Sequence, residues 1–533
     1  MKAQSLRQRL IHFAVVTATV VLSACSPATS PSAAPAAADS SAGSSSYESA
    51  PAAAAPAQEM VAGEGATGMN FQNYGVNGFV STAQDNLSTF GMDVDTGSYT
   101  LARSYIHDNN LPPQDAVRVE EFVNFFNYHY ALPAAEKTFA VDIDGANSPF
   151  SDSPNSRVLR VGIQGYDIPE EARKDAVLTF VIDVSGSMDM ENRLGLVKRS
   201  LAKMVDELRP TDSVGIVVYG STAWTVLSPT ALSEKQRVLD AINALQPEGS
   251  TNAAEGIALG YQEAWKNFRE GALNRVILCS DGVANVGMTE PGGILDTVAQ
   301  YADKGIYMTS VGVGMGNYND VLMEQLADKG DGFYAYVDSD SQADKLFLHD
   351  LTGTLQTIAK DAKIQVEFNP ATVERYRLIG YENRAVADND FRNDQVDAGE
   401  VGAGHSVTAL YEVDLTNEGQ QNNDAAIATV HLRWLDPESE KAAEMNQSIT
   451  VQALATTLKE ANPYTRLAII SAQYAELLRG SEYGEGYELG TVLSDLQALR
   501  DQLSAQQTLD PEVSEFVDLV WNANKLAAAQ GQQ

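Results

Sequence analysis

The sequence predicts an α/β protein organised around a doubly wound, mainly parallel sheet. The first observation behind this prediction is residues 176–188 (AVLTFVIDVSGSM), whose apolar run at 177–182 is typical of a strand buried on both faces of a parallel sheet. The second is the alternation of such runs with amphipathic helical patterns as far as residue 360. The third is that this strand ends in small oxygen-bearing side chains, and ligands bind at the carboxyl edge of open α/β sheets.

The central segment, residues 175–361, is predicted to form this α/β domain. Apolar residues at 194–208 mark one face of a helix that Pro210 ends. Residues 232–236 carry a capping-box pattern that begins a further helix, ending near residue 245. The other predicted elements are strands at 213–219, 223–227, 275–280, 306–313 and 333–337, a helix after Asn252, and a closing helix at 343–358.

The segment before it, residues 69–174, is predicted to be an α+β accessory domain with helices at 99–108 and 117–126. Asp93 and Asp95 have the spacing of a phosphatase nucleophile and its acid/base partner. No apolar strand leads into them, so we expect a turn or a helix cap there.

The segment after the central one changes character. Residues 362–456 carry short alternating runs separated by turn residues, which predicts a small β domain. The predicted strands lie at 364–368, 407–413, 425–434 and 448–454. Residues 457–533 return to helical spacing and are predicted to form a helical C-terminus.

The first 68 residues carry export and tethering signals. Residues 1–25 combine basic residues, a short apolar stretch and the ending Leu22-Ser23-Ala24-Cys25. This ending resembles a bacterial lipobox, which predicts acylation of Cys25 (palmitate among the acyl chains) and anchoring by lipid; the alternative is an ordinary cleaved signal peptide. Ser26, not aspartate, follows, which in a Gram-negative bacterium indicates the outer membrane of the cell envelope. Residues 26–68 are rich in Ala, Ser and Pro, so we expect a disordered tether.

Charge and cysteine content exclude two classes of protein. The chain has 36 Lys and Arg residues against 71 Asp and Glu, a net charge of −35, which argues against nucleic acid as a partner because phosphate binding requires a basic face. With Cys25 assigned to the lipobox, Cys279 lies alone in an apolar run, where it is expected to be a buried free thiol. The sequence therefore predicts no disulfide framework.

Oxygen-bearing side chains recur where the predicted strands end. Asp183, Ser185 and Ser187 follow the opening strand, Thr251 precedes a helix, and Asp281 follows the strand at 275–280. Because parallel strands end at one edge of their sheet, these five residues are predicted to converge. Carboxylate and hydroxyl oxygens suit Mg²⁺, or Mn²⁺ and Ca²⁺. Few protein groups would bind the ion directly, so we expect one coordination position to remain for an incoming acidic group.

This pattern resembles the metal-ion-dependent adhesion site of a von Willebrand factor type A (VWA) domain. The resemblance rests on Asp183-x-Ser185-x-Ser187, then Thr251, then Asp281 on this strand and helix order. It implies that the three hydroxyls are direct ligands and that the two aspartates act mainly through water. It also implies that an Asp or Glu of a partner protein completes the coordination shell.

The flanking segments carry a resemblance as well. Residues 88–96 (STFGMDVDT) and 111–121 are similar to the N-terminal VWA-associated domain of bacterial VWA lipoproteins. Residues 366–370 (VEFNP) and 376–384 (YRLIGYENR) look like their C-terminal domain of unknown function. The resemblance therefore covers nearly all of the chain after the tether.

These observations predict a binding protein and not an enzyme. The sequence contains no HExxH, GxSxG or P-loop motif and no Cys/His pair. Two alternatives stay open. One is a metal-assisted hydrolase of the envelope, in which the ion polarises a phosphoryl or carbonyl group. The other is an envelope scaffold in which the ion only stiffens the loops.

Overall fold

The structure of this protein is a computed structural model that describes residues 69–190, 193–282, 291–315, 318–349, 353 and 355–531. The predicted signal at residues 1–25, the acylation of Cys25 and the tether at 26–68 lie outside the described residues. Among the helices that are described, none is long and apolar enough to traverse a lipid bilayer.

The strands and the α-helices of the described residues are each numbered in chain order. The strands are β1 (Val80–Ser81), β2 (Leu87–Gly91), β3 (Phe139–Asn147), β4 (Ser156–Gly165), β5 (Ala176–Asp183), β6 (Ser213–Tyr219), β7 (Ala223–Ala231), β8 (Leu273–Ser280), β9 (Ile306–Val313), β10 (Phe333–Val337), β11 (Thr357–Phe368), β12 (Val373–Ile379), β13 (Gly399–Gly402), β14 (Ser406–Leu415), β15 (Ala426–Leu435) and β16 (Ala442–Thr450). The α-helices are α1 (Gly97–His107), α2 (Val119–Asn124), α3 (Leu194–Glu207), α4 (Lys235–Ala244), α5 (Ala253–Lys266), α6 (Pro291–Ala302), α7 (Asp320–Asp328), α8 (Asp340–Asp344), α9 (Asn417–Gln421), α10 (Pro463–Arg479), α11 (Leu489–Gln506) and α12 (Pro511–Ala529).

The central sheet has six strands in the order β10-β9-β8-β5-β6-β7, and only β7 runs antiparallel to its neighbour. Its middle strand β5 is buried along its whole length. Leu178, Phe180 and Ile182 pack into the core on the α3 and α4 face, whereas Val181 packs into the core on the α5 face. Because side chains alternate along a strand, a continuous apolar run is what burial on both faces requires. The doubly wound α/β fold predicted from this run is confirmed.

Two predicted elements of the central domain have different limits in the structure. The closing helix predicted at 343–358 is wrong at its C-terminal end, because β11 already begins at Thr357 and pairs with β13 and β15. The edge strand predicted at 223–227 extends to Ala231. Pro229 is tolerated there because the register with β6 is irregular and β7 lies at the edge of the sheet.

Segments from before and after the central domain share two further sheets. One has the order β1-β12-β14-β4-β3, and the other joins β2 to β11 beside β13, β15 and β16. Apolar side chains of both segments, such as Phe90 and Val161 with Ile364 and Tyr411, form one core. The sequence divides the chain at residues 174 and 361, but the accessory domain and the β domain predicted on either side form a composite β structure.

The strand predicted at 448–454 is displaced in the structure. β16 occupies Ala442–Thr450, and a short 3₁₀ turn follows at Val451–Ala453. Strand β16 pairs only with β15 at the edge of its sheet and is mostly exposed. Ala443, Met445 and Ile449 face the core at alternate positions, but Gln447 interrupts them, so the strand signal in the sequence is weak.

The helical C-terminus packs on the helices of the N-terminal segment. Helices α10, α11 and α12 share a core with α1 and α2, in which Tyr99 stacks on Phe125 at 3.9 Å between ring centroids. Phe516 of α12 contacts both Tyr99 and Tyr474 through edge-on ring pairs. These aromatic contacts fix the last helices against the start of the folded chain.

Asp93 and Asp95 have structural roles. The Asp93 carboxylate accepts a hydrogen bond of 2.8 Å from the Asp95 main-chain N–H, which is the turn predicted there. The Asp95 carboxylate accepts the main-chain N–H of Tyr334 at 3.0 Å, and the Arg384 guanidinium pairs with both aspartates. Arg384 also pairs with Glu324 of α7, so these carboxylates link the three parts of the chain.

Candidate metal centre

The candidate site lies where the central strands β5, β6 and β8 end. Ile182 of β5 lies opposite Val218 of β6 and Cys279 of β8 in parallel register. Asp183 therefore ends β5 at the level where Ser280 ends β8. The predicted convergence of loops at this edge follows directly from the parallel pairing.

Asp183 lies buried at the base of the site. Its side chain is inaccessible to solvent, and its carboxylate accepts the Ser185 main-chain N–H at 2.8 Å and the Ser280 hydroxyl at 3.0 Å. Burial raises the pKa of Asp183 to about 6, although the Ser185 and Ser280 hydrogen bonds oppose that rise. Ser280 was absent from the predicted set, and its only sequence signal is its place beside Asp281 at the end of a strand.

Ser185 and Ser187 follow Asp183 in the same loop. Their hydroxyl oxygens are 3.0 Å apart, and Ser185 is buried whereas Ser187 is exposed. The hydroxyls are therefore adjacent and reach from the interior to the surface.

The loop that contains Thr251 is joined to the site by a main-chain hydrogen bond. The Gly186 N–H donates to the Gly249 carbonyl at 3.0 Å, which joins the Thr251 loop to the serine loop. Gly249 has a φ of +79° and lies against Ser221 so closely that a Cβ there would be 2.4 Å from the hydroxyl oxygen, so glycine is required. Thr251 itself is half-buried and stands just before α5.

Asp281 is buried and pairs with a cation that the sequence did not reveal. Arg193 donates from Nη1 to the Asp281 carboxylate and to the Ser187 carbonyl, the latter at 2.9 Å. No motif spacing relates Arg193 to Asp281, because only the folded loops bring them together. The structure thus links Asp183, Ser185, Ser187 and Asp281 through hydrogen bonds or an ion pair, and joins the Thr251 loop to them by its backbone.

The donor chemistry fits a hard divalent cation. Two carboxylates at the base and three hydroxyls of increasing exposure supply oxygen ligands only, as Mg²⁺, Mn²⁺ and Ca²⁺ prefer. Within the described ranges, no three His, Cys, Asp or Glu side chains come together as a metal-binding group. Any ion here would be held mainly by hydroxyls, with its open side toward solvent.

Comparison with known proteins places the chain in a family. The von Willebrand factor type A domain family matches residues 178–353, a von Willebrand factor family matches 66–160, and the C-terminal family of the uncharacterized protein YfbK matches 353–526. YfbK of Escherichia coli strain K12 is 36% identical over 435 residues, which span 78% of this chain and 74% of that protein. The chain belongs to the YfbK family of bacterial VWA proteins. The predicted resemblance to VWA proteins with a C-terminal domain is thereby confirmed.

The chain also has more distant similarities. Inter-alpha-trypsin inhibitor heavy chain H3 of Mesocricetus auratus is 23% identical over 321 residues, which cover 53% of this chain and 35% of that protein. A solved von Willebrand factor type A structure from Catenulispora acidiphila is 14% identical with a TM-score of 0.41, covering 72% of this chain and 92% of that one. All five candidate residues of this chain lie inside residues 178–353, the region that matches the VWA domain family. VWA domains commonly mediate protein–protein interactions, so family membership supports a general interaction role.

Proposed function

We propose that this protein is a membrane-anchored protein of the bacterial cell envelope that binds a partner protein through a divalent cation. Asp183, Ser185, Ser187, Thr251 and Asp281 hold the ion, which is Mg²⁺ or, in its place, Mn²⁺ or Ca²⁺. An Asp or Glu side chain of the partner completes the coordination.

One observation carries this proposal. Three loops from separate parts of the VWA domain meet at one sheet edge, where buried carboxylates lie beneath hydroxyls that reach the surface. The buried charge of Asp183 is costly without a cation, because burial disfavours the ionised carboxylate. A divalent ion bound from the solvent side would offset that cost and present an open position outward.

Binding is favoured over catalysis by the contacts of the two carboxylates. Asp183 is engaged by Ser185 and Ser280, and Asp281 is engaged by Arg193. These contacts hold both carboxylates in place as structural groups of the site, which favours a binding role.

Anchoring follows from the lipobox-like ending at Cys25. We propose that acylated Cys25 holds the chain on the outer membrane of a Gram-negative cell, with residues 26–68 as the tether. Mass spectrometry of the membrane-extracted protein tests this: an acylated N-terminal cysteine is expected, and an unmodified N-terminus would contradict the anchor.

Calorimetric titration of the purified chain with Mg²⁺ tests the ion site. Wild type is expected to bind one ion, and Asp183→Ala is expected to bind none because it removes the buried carboxylate. Asp189→Ala removes an exposed carboxylate of the same loop and is the matched control, which should bind as the wild type does. Equal Mg²⁺ affinity in all three proteins would contradict the site.

Partner capture then separates adhesion from the alternatives. A pull-down from solubilised membranes is compared in Mg²⁺ and in EDTA, with wild type, Asp183→Ala and Asp189→Ala as bait. Adhesion predicts a protein captured in Mg²⁺ by wild type and Asp189→Ala but not by Asp183→Ala. Capture that ignores both EDTA and Asp183→Ala would favour a scaffold, and chelator-sensitive turnover of a generic phosphoester would favour a hydrolase.

A further inference from the structure

Arg193 links three loops around the candidate site. It lies just before α3 with only 7% of its surface exposed. Its Nη1 donates to the Asp281 carboxylate and to the Ser187 carbonyl, and its Nη2 donates to the Met315 carbonyl beyond β9. The guanidinium is thus a fixed part of the same edge of the sheet.

The slot that holds this side chain is shaped to it. Gly314 has a φ of +74°, and a Cβ there would come within 2.6 Å of both Cγ and Nε of Arg193. A side chain at position 314 would therefore displace the arginine. Because Arg193 is buried against Gly314 and bonded to three acceptors, its guanidinium is held at Asp281.

The charge of this contact group follows from its members. Asp183 and Asp281 carry two negative charges, and Arg193 cancels one of them. With a divalent ion in place the group carries one net positive charge, which a single carboxylate from a partner neutralises. Without Arg193 the same loaded group would be neutral and would attract a carboxylate less.

We propose that Arg193 sets the ion affinity and the charge of this site. It weakens the binding of the divalent cation and leaves the loaded site positive for an incoming carboxylate. This inference rests on the proposed metal site. It concerns the charge of Arg193, which separates it from a purely structural role in holding the loops.

Calorimetric titration of the full chain with Mg²⁺ tests the inference. Arg193→Met fills the slot without charge, Arg193→Gln is a second neutral variant that can still donate one hydrogen bond, and Arg193→Lys keeps the charge. Loss of a unit charge beside a divalent ion should tighten Mg²⁺ binding by about tenfold in the neutral variants. Arg193→Lys should bind close to the wild type. Urea unfolding in EDTA identifies which variants are folded.

Arg199→Met is the matched control, because Arg199 lies on α3 but is exposed and pairs with Asp340. Its Mg²⁺ affinity should not change. A structural role alone predicts weaker binding in Met, Gln and Lys variants alike, and that result would overturn the inference. Neutral variants that bind no more tightly than wild type would overturn it as well.

The two levels of proposal fail differently. If wild type itself binds no Mg²⁺, the metal site is wrong and the inference falls with it. If wild type binds Mg²⁺ and Asp183→Ala does not, the site stands, and the Arg193 series alone decides whether charge at this position sets the affinity.

Discussion

Gly260→Ala is the substitution that most directly tests how the helix α5 positions the site. Gly260 faces Val181 of β5, and a Cβ built on it would lie 2.2 Å from Val181 Cγ2. Carbon atoms in contact are normally about 3.5–4.0 Å apart, so α5 would have to move outward by more than an ångström. Val181 precedes Asp183 by two residues, and α5 begins just after Thr251.

The expected magnitude is the difference between two opposing effects. Alanine in a helix interior is favoured over glycine by about 1 kcal/mol. Overpacking a tight core contact costs about 1–3 kcal/mol. We expect Gly260→Ala to lower the free energy of unfolding by up to about 2 kcal/mol. Mg²⁺ binding should also weaken, because the displaced helix carries Thr251 away from Asp183.

Urea unfolding and Mg²⁺ calorimetry on the same samples measure both effects. Gly490→Ala is the matched control, since Gly490 is exposed near the start of α11 with no atom near its missing Cβ, and this change should stabilise slightly. Val181→Ala combined with Gly260→Ala removes the clashing methyl groups and should recover part of the lost Mg²⁺ affinity. The reasoning is refuted if Gly260→Ala is as stable as Gly490→Ala and binds Mg²⁺ as the wild type does.

Two further predictions concern buried charges. Burial and the neighbouring Glu382 raise the pKa of Glu120 to about 8, so between its ordinary value of 4.5 and that value the folded chain keeps a proton that the unfolded chain releases. The free energy of unfolding of the wild type should therefore fall as pH rises from 5 to 8. In urea unfolding, Glu120→Gln should gain stability relative to wild type by up to about 1.4 kcal/mol per pH unit. Parallel pH profiles of the two proteins would contradict this, and Glu485→Gln, at an exposed position, is the control. Arg377→Met leaves the buried Glu412 without its ion-pair partner and removes one of the two arginines that pair with Glu476, so it should cost about 3–5 kcal/mol. The exposed Arg392→Met should cost about 1 kcal/mol or less, and equal losses in the two variants would show that burial of the pair is unimportant.

The central domain was predictable because its signals are local. A strand buried on both faces is apolar throughout, so β6, β9 and β10 begin and end where the sequence predicted. The convergence of Asp183 and Asp281 needed only the parallel register of strands already identified. The hydrogen bonds between these loops are consistent with the predicted site, whose metal binding stays a prediction.

The rest depended on contacts that no short segment encodes. Strand β4 was missed because Arg160 interrupts its apolar pattern, although the arginine is buried and pairs with Asp144 of β3. Arg193 was missed because its partner Asp281 is distant in sequence. Pairing of β2 with β11 joins segments on opposite sides of the VWA domain, and hydrophobic periodicity does not identify which strands become neighbours.

In the composite sheets, strands translated early pair with strands translated late. Strands β1 and β2 leave the ribosome first, but their neighbours β12 and β11 emerge only after the whole VWA domain has been translated. The six-stranded sheet of the VWA domain is complete at β10, so β1 and β2 stay without these neighbours until after that sheet has been translated. A chain truncated after β10 would leave β1, β2 and β4 with unpaired edges, which favours aggregation. Quality control of this protein should therefore depend on its last translated third.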